Sequence, residues 1–209
     1  MEYETFNAAS MKVTIHGSNI HPGSAKNKMK NSILIGLEFQ SMLPENEKPQ
    51  YTEKYEGFFH LNNIGGNVEN TTLHYIVRDH DMARFEERKA LGKKIGAFLN
   101  EKYGEGTVQV EIADTYYNMA EKIRPHMYLM DIAAEAFKEL GVETPVVNTV
   151  RGGTGGSRLS FMGFTGPVLC AGGHASHGKY EFICIQSMEK TVELLLKIAE
   201  KFTKVEKQA

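Results

Sequence analysis

The chain has 209 residues, 41% of them hydrophobic and 24% charged, which indicates a folded protein of one or two domains. Its 24 basic and 26 acidic residues leave no basic excess, so nucleic acid is not an expected partner. No apolar segment reaches the length of about 20 residues that spans a bilayer, and the acidic start at Met1–Thr5 is unlike a signal peptide. We therefore expect a cytoplasmic protein with no membrane partner. Cys170 and Cys184 lie in apolar stretches, which favours buried thiols over a disulfide.

The chain opens with a predicted strand followed by a predicted helix. Residues 8–16 alternate between apolar and polar types, which predicts a strand with one buried side. The residues on that side are Ala9, Met11, Val13 and Ile15. Residues 26–43 then predict a helix, because apolar side chains recur at helical spacing. These side chains are Met29, Ile33 and Leu37.

Four further elements complete the first part of the chain. They are strands at 57–61 and 70–78, a helix at 82–102 and a strand at 107–112. The first two strands flank Gly65-Gly66 and should pair as a hairpin, and either Asp79 or Asp81 can cap the helix. The apolar face of this helix should carry Leu91, Ile95, Phe98 and Leu99. The order βαββαβ predicts a ferredoxin-like sandwich over residues 1–116, with two helices on one face of an antiparallel sheet.

Residues 117–209 alternate helix and strand, as in part of a parallel sheet. The predicted elements are a helix at 129–140, strands at 145–149 and 166–170, and a terminal helix that Ser187 can cap. One apolar stripe of the terminal helix holds Val192, Leu195, Leu196, Ala199 and Phe202. Two or three strands are too few to form a covered parallel sheet, so this part resembles a portion of a larger α/β domain.

Two glycine-rich segments carry the clearest chemical signal. The first, Arg-Gly-Gly-Thr-Gly-Gly-Ser-Arg at 151–158, lets backbone approach a ligand, and Thr154 and Ser157 can cap a following helix. Arg151 suits a carboxylate. In the second segment, at 172–178, the imidazole of His177 can reach a metal ion without being held on a helix. One histidine cannot bind zinc alone, so the sequence predicts half of a metal site.

Six motifs along the chain identify a family. They are Asn-Ala-Ala-Ser at 7–10, His-Pro-Gly-Ser-Ala-Lys at 21–26, His-Tyr-Ile-Val-Arg-Asp at 74–79, Arg-Gly-Gly-Thr at 151–154, Leu-Ser-Phe-Met-Gly at 159–163 and His-Gly-Lys-Tyr-Glu-Phe at 177–182. In this order and spacing they resemble the peptidase T family, the tripeptide aminopeptidases among the di-zinc metallopeptidases. The resemblance implies a C-terminal half: a lid and dimerisation domain at 1–116, then the last part of the zinc-binding α/β catalytic domain at 117–209.

The resemblance also assigns roles to individual residues. It implies that the missing N-terminal half holds the general base and most ligands of the two zinc ions, leaving His177 as the one zinc ligand here. His21 in the lid is expected to stabilise the oxyanion of the tetrahedral intermediate, in the active site of the partner subunit. The residues it assigns to the small peptide substrate are Arg78, Arg151, Gly153 and Thr154. Both arginines would bind the terminal carboxylate.

Each assignment has a simpler structural alternative. His21 before Pro-Gly is compatible with an ordinary turn residue, and Arg78 with Asp79 is compatible with a surface ion pair of about 0–1 kcal/mol. We do not include His174 among the metal ligands, because family members usually carry tyrosine at that position. Gly155 replaces an acidic residue of the family pattern, so a carboxylate is lost from the glycine loop.

Two functions from different classes follow from this pattern. The first is part of a zinc-dependent tripeptide aminopeptidase that works only with its missing half and forms a homodimer through the lid. The second is a non-catalytic remnant that folds and acts as a dimerisation module. Function depends on an assembled site rather than on a fold, so the fold alone does not choose between them.

Overall fold

A computed structural model of the chain describes residues 1–142, 147–169 and 171–205. It divides into two compact units. The first unit is Phe6–Tyr117, and the second unit combines Met1–Thr5 with Asn118–Ala209. The first five residues, which the sequence placed in the first domain, therefore pack with the second unit. In the described residues no helix combines the length and apolar character needed to cross a membrane.

The first unit has the predicted ferredoxin-like fold. Its elements are β1 (Asn7–His16), α1 (Ser32–Met42), β2 (Phe58–Gly66), β3 (Asn70–Asp79), α2 (Met82–Tyr103) and β4 (Val108–Tyr116). The strands form one sheet in the order β2–β3–β1–β4, and every neighbouring pair is antiparallel. The predicted hairpin is the β2–β3 pair. This is the βαββαβ arrangement with β1 and β3 at its centre.

The core of the first unit lies between one face of this sheet and the two helices. The predicted side of β1 is fully buried, as the alternation of residue types requires. Its side chains pack with Leu73, Tyr75 and Val77 of β3. Ile35 and Phe39 of α1 and Phe85, Ile95 and Leu99 of α2 complete the cluster.

Both helices of this unit differ from prediction in detail. α1 begins at Ser32 rather than at residue 26, because the Asn31 side chain accepts hydrogen bonds from two amides of its first turn. The predicted stripe of α1 was wrong: Leu37 is exposed, and Ile35 and Phe39 face the core. In α2, Phe98 was also placed wrongly and is exposed, whereas Ile95 and Leu99 are buried as predicted. The buried side chains of each helix are those on the face that meets the sheet, and residue spacing alone does not specify that face.

The second unit is built mainly from helices. Its elements are α3 (Ala120–Ile123), α4 (Tyr128–Glu139), α5 (Gly155–Phe161), β5 (Gly173–His174), β6 (Phe182–Ile183) and α6 (Ile185–Phe202). β5 and β6 form a two-stranded antiparallel sheet. The predicted strands at 145–149 and 166–170 lie partly outside the described residues. Within the described part, Asn148 and Val168 each form a single bridge to Glu2, the first parallel and the second antiparallel.

The terminal helix, α6, begins at a different residue and buries a different side than predicted. Cys184, not Ser187, is its N-cap residue, and it makes no capping hydrogen bond through its side chain. The predicted apolar stripe is largely exposed, whereas Leu194 is 2% exposed and faces the interior. Cys184 is an exposed free thiol, which corrects the expectation of burial, and Cys170 lies outside the described residues. The exposed stripe is therefore a surface of the second unit.

Candidate functional site

The predicted site residues are divided between the two units. His21 and Arg78 belong to the first unit, and the remaining residues belong to the second. Those in the second unit are Arg151, Gly153, Thr154 and His177. The geometry around each residue is given by its own unit.

His21 lies on an exposed loop between β1 and α1. The base of the loop is closed by two backbone hydrogen bonds between Ser18 and Lys30, of 2.8 and 3.1 Å. The Nδ1 atom of His21 accepts the Gly23 N–H at 3.1 Å, at the start of a short turn over Pro22–Ser24. In the neutral ring this bond leaves the proton on Nε2. His21 is therefore a turn residue whose Nε2–H is available as a donor.

Arg78 is half-buried near the end of β3. Its Nη1 donates to the carbonyl oxygens of Ala9 at 3.2 Å and Val77 at 3.0 Å. The guanidinium carbon lies 5.3 Å from the centroid of the Tyr116 ring, in a cation–π contact. Burial lowers the pKa of Arg78, and the interaction with Tyr116 opposes this shift. These contacts hold the guanidinium in one place against β1 and β4.

Tyr116 was not singled out from the sequence. It lies at the end of β4, opposite Ala8, and Ala8 is also the partner of Arg78 on the other side of β1. Burial raises the pKa of the Tyr116 hydroxyl, and the positive charge of Arg78 partly offsets this. The strand predicted from the sequence ends at residue 112, so this contact becomes visible only when the longer β4 pairs with β1.

Within the first unit, Arg78 and the base of the His21 loop lie at opposite ends of the sheet. Arg78 pairs with Ala8 near the start of β1, whereas the His21 loop follows His16, which pairs with Asn70. Eight residues of extended strand separate Ala8 from His16, a length of about 27 Å. An extended tripeptide is about 10 Å long. The end of β1 beside Arg78 and the end that leads into the His21 loop are therefore farther apart than one extended tripeptide.

The Arg78-Asp79 pair is not a surface ion pair. The Asp79 carboxylate is 1% exposed, and its Oδ2 accepts from Arg88 Nε at 2.9 Å. Arg88 also pairs with Glu47 through Nη1. Asp79 Oδ1 accepts the Asp81 N–H at 2.9 Å, and Asp81 itself caps α2 by accepting the Arg84 N–H. This buried cluster anchors the strand end that carries Arg78.

In the second unit, the glycine loop leads directly into a helix. Thr154 is the N-cap residue of α5, and its N–H donates to the Ser157 hydroxyl at 3.3 Å. Thr154 at the N-cap and Ser157 in the first turn hold the positions expected from the sequence, and the helix starts at Gly155. Arg151 is half-buried just before the loop, and Gly153 is exposed. A Cβ atom at Gly155 would meet no atom within 4 Å, so the position is open to a side chain.

A buried polar cluster fixes this loop, and the sequence did not indicate it. The Thr5 hydroxyl oxygen accepts from the Ser157 hydroxyl at 3.1 Å and from the Met119 N–H at 3.2 Å. The Thr5 N–H donates to the Asn118 side chain at 3.1 Å. Ser157 is therefore linked directly to Thr5 and, through Thr5, to Met119. The start of α5 is held in place by buried hydrogen bonds.

His177 is exposed on the turn between β5 and β6. Its backbone is left-handed, with φ of 62°, and its N–H donates to the Glu181 carboxylate at 3.1 Å. The neighbouring His174 stacks on Phe182 with ring centroids 5.0 Å apart. Among the described residues no three histidine, cysteine or acidic side chains lie together as metal ligands. The described part of the chain thus presents His177 as an isolated candidate ligand.

Comparison with known proteins identifies the first unit. The sequence model of the peptidase dimerisation domain matches residues 3–107, half of the chain. Two solved structures share the fold: aminopeptidase PepT from Bacillus cereus, with a TM-score of 0.79 at 20% identity, and a tripeptidase from Staphylococcus aureus, with 0.81 at 18%. Each covers 97% of this chain, which corresponds to 54% and 53% of their own lengths.

Curated relatives are closer in sequence. The chain is 57% identical to Peptidase T of Caldanaerobacter subterraneus subsp. tengcongensis and 55% identical to Peptidase T of Alkaliphilus oremlandii, each over 204 residues. Each match covers 98% of this chain and 50% of the relative. The chain therefore spans about half the length of the curated relatives it matches. It belongs to the peptidase family defined by this dimerisation domain, and it is similar to peptidase T along nearly its whole length.

Proposed function

We propose that the chain is the C-terminal half of a zinc-dependent tripeptide aminopeptidase of the peptidase T type, which removes the N-terminal residue from tripeptides in the cytoplasm. The observation that carries this proposal is the 57% identity with a Peptidase T over 98% of the chain. Because that match covers 50% of the relative, the other half of the enzyme must supply the remaining catalytic groups.

The geometry of the first unit supports binding roles for His21 and Arg78. The Nε2–H of His21 is a free donor of the kind that stabilises an oxyanion, because Nδ1 is engaged by Gly23. Arg78 is pre-positioned by two carbonyls and by Tyr116, which suits it to a peptide carboxylate. Since the sheet ends that carry them are farther apart than one extended tripeptide, we assign them to active sites shared between two protomers. This supports a homodimer through the first unit.

The second unit contributes the remaining substrate contacts in this proposal. Arg151, Gly153 and Thr154 present one guanidinium and an open backbone loop to the peptide. The buried Thr5–Ser157 hydrogen bond keeps the loop and the start of α5 in a fixed relation. A pre-positioned loop of this kind binds a small ligand at a low cost in conformational entropy.

The zinc assignment extends beyond this chain. His177 is the single candidate ligand among the described residues, and a catalytic zinc site needs three protein ligands. These residues therefore do not form a zinc site. We assign the other ligands of the two zinc ions, together with the general base, to the other half. The chain alone is then inactive.

The second candidate is a non-catalytic dimerisation module. The isolation of His177 among the described residues is the observation that favours it. As such a module, the first unit would associate with a second copy of the chain, and the second unit would have no catalytic role.

Tripeptide hydrolysis tests the two functions. The chain is assayed alone with zinc, and again with the unmatched half of the Caldanaerobacter Peptidase T co-expressed as a separate chain. We expect no turnover by the chain alone and chelator-sensitive turnover by the pair. His177→Ala should abolish that turnover, whereas the matched control His174→Ala should retain it. A complex that forms but never turns over would favour the dimerisation module.

A further inference from the structure

α6 has one broad apolar face, and the second unit covers one part of it. Its inner side carries Leu194 and Ile198, and Lys201 on that side pairs with Glu135 and Glu139 of α4. The rest of the apolar face is an exposed stripe beside it, which we call the outer face of α6. It consists of Ile185, Met188, Val192, Leu195 and Leu196. These five side chains are 49–68% exposed and recur at spacings of one helical turn.

An apolar stripe of this kind is unusual on a free surface. The apolar face of an amphipathic helix is normally buried across its whole width. The longer α2 of the first unit shows the ordinary pattern, with Met82 and Phe98 as its exposed large apolar side chains. A contiguous exposed apolar patch on a folded protein generally marks an interaction site. We therefore expect another protein surface to pack against the outer face of α6.

The lengths of the relatives indicate which polypeptide packs against this face. The curated relatives have about as many residues outside the match as inside it. The same is true of the two solved structures, in which this fold is 53–54% of the chain. We infer that the outer face of α6 is the docking surface for the other half of the peptidase chain. The inference rests on the proposed function, in that it takes this half as the partner.

Two other occupants fit the structure less well. A second copy of the chain has its own surface, because the dimerisation domain matches residues 3–107 and α6 lies outside that range. An anionic membrane would need free basic side chains beside the stripe. Lys190, Lys197, Lys201 and Lys204 of this segment instead pair with glutamates of α4 and α6. An apolar surface of a protein partner is the better complement.

The test is binding of the two half-chains. The chain is co-expressed with the unmatched half of the Caldanaerobacter Peptidase T, and the affinity of the pair is measured by sedimentation. The double variant Val192→Asp/Leu196→Asp should weaken binding by at least about 100-fold, because two carboxylates would be buried in an apolar interface. Leu34→Asp is the matched control: Leu34 is 62% exposed on α1, and its replacement should leave the affinity within about twofold. Circular dichroism checks that all variants keep their helices.

Each outcome decides the inference. Equal binding by wild type and the double variant, or no binding by wild type, overturns it. The inference is also overturned if the chain does not bind the half-chain but associates with itself, and the double variant abolishes that self-association. The outer face of α6 would then bind a second copy of the chain. Tripeptide hydrolysis, measured in the same mixtures, tests the proposed activity separately from binding. A complex that the double variant breaks but that cleaves no tripeptide would keep the docking surface and remove the proposed activity.

Discussion

Asp79→Ala should destabilise the first unit by about 3 kcal/mol. The carboxylate is 1% exposed and holds both Arg88 Nε and the Asp81 N–H at 2.9 Å. Removing one partner of a buried ion pair costs about 3–5 kcal/mol, because the remaining charge stays desolvated. Here Arg88 keeps Glu47 as a partner, so we expect the lower end of that range.

Hydrogen exchange of the β1 and β3 amides measures this loss within the first unit. A loss of about 3 kcal/mol speeds exchange through global opening by about 100-fold. Asp81→Ala is the matched control, two residues along the chain. It removes the α2 cap and should cost about 1 kcal/mol. A cost for Asp79→Ala below about 1 kcal/mol, or no larger than for Asp81→Ala, would refute the argument that this pair is buried and stabilising.

Three further changes have expected outcomes. Gly17→Ala should lower the free energy of unfolding of the first unit by about 2 kcal/mol, because the added methyl group would overlap backbone oxygens of Val68 and Lys30. Faster hydrogen exchange at the base of the His21 loop would show this loss. Glu38→Gln should cost about 0.5–1 kcal/mol at pH 7, since Lys102 bonds this carboxylate and lowers its pKa. Because that pKa is lowered on folding, the stability difference from wild type should hold above pH 4.5 and vanish as the pH falls further. Gly155→Asp should stabilise α5 by about 0.5–1 kcal/mol, measured by exchange of its amides. An unchanged or lower protection of α5 would contradict this.

The fold of the first unit was largely predictable because its signals are local. Strict alternation in β1 places every second side chain on the core face, and the sheet then buries that face. The helices were less predictable. A helix with apolar residues on several sides does not show which side meets the sheet, so Leu37 and Phe98 were assigned to the core although they are exposed.

The candidate site was predictable only as a set of residue types. Motifs identified Arg78 and the glycine loop, but not the groups that hold them. Tyr116 meets Arg78 because both flank Ala8 in the sheet. Thr5 and Ser157 form a hydrogen bond although they are 152 positions apart in the chain. Contacts of this range depend on strand order and packing, and no local pattern encodes them.

The sequence by itself determined the βαββαβ order, the buried side of β1, the cap of the glycine loop and the peptidase family motifs. Each of these depends on neighbouring residues or on a short recurring spacing. The tertiary structure alone decided that Asp79 pairs with Arg88, that Arg78 and the base of the His21 loop lie at opposite ends of one sheet, and that the outer face of α6 is exposed. The physical reason is that burial and pairing depend on which surfaces meet, and that is fixed only when the whole chain packs.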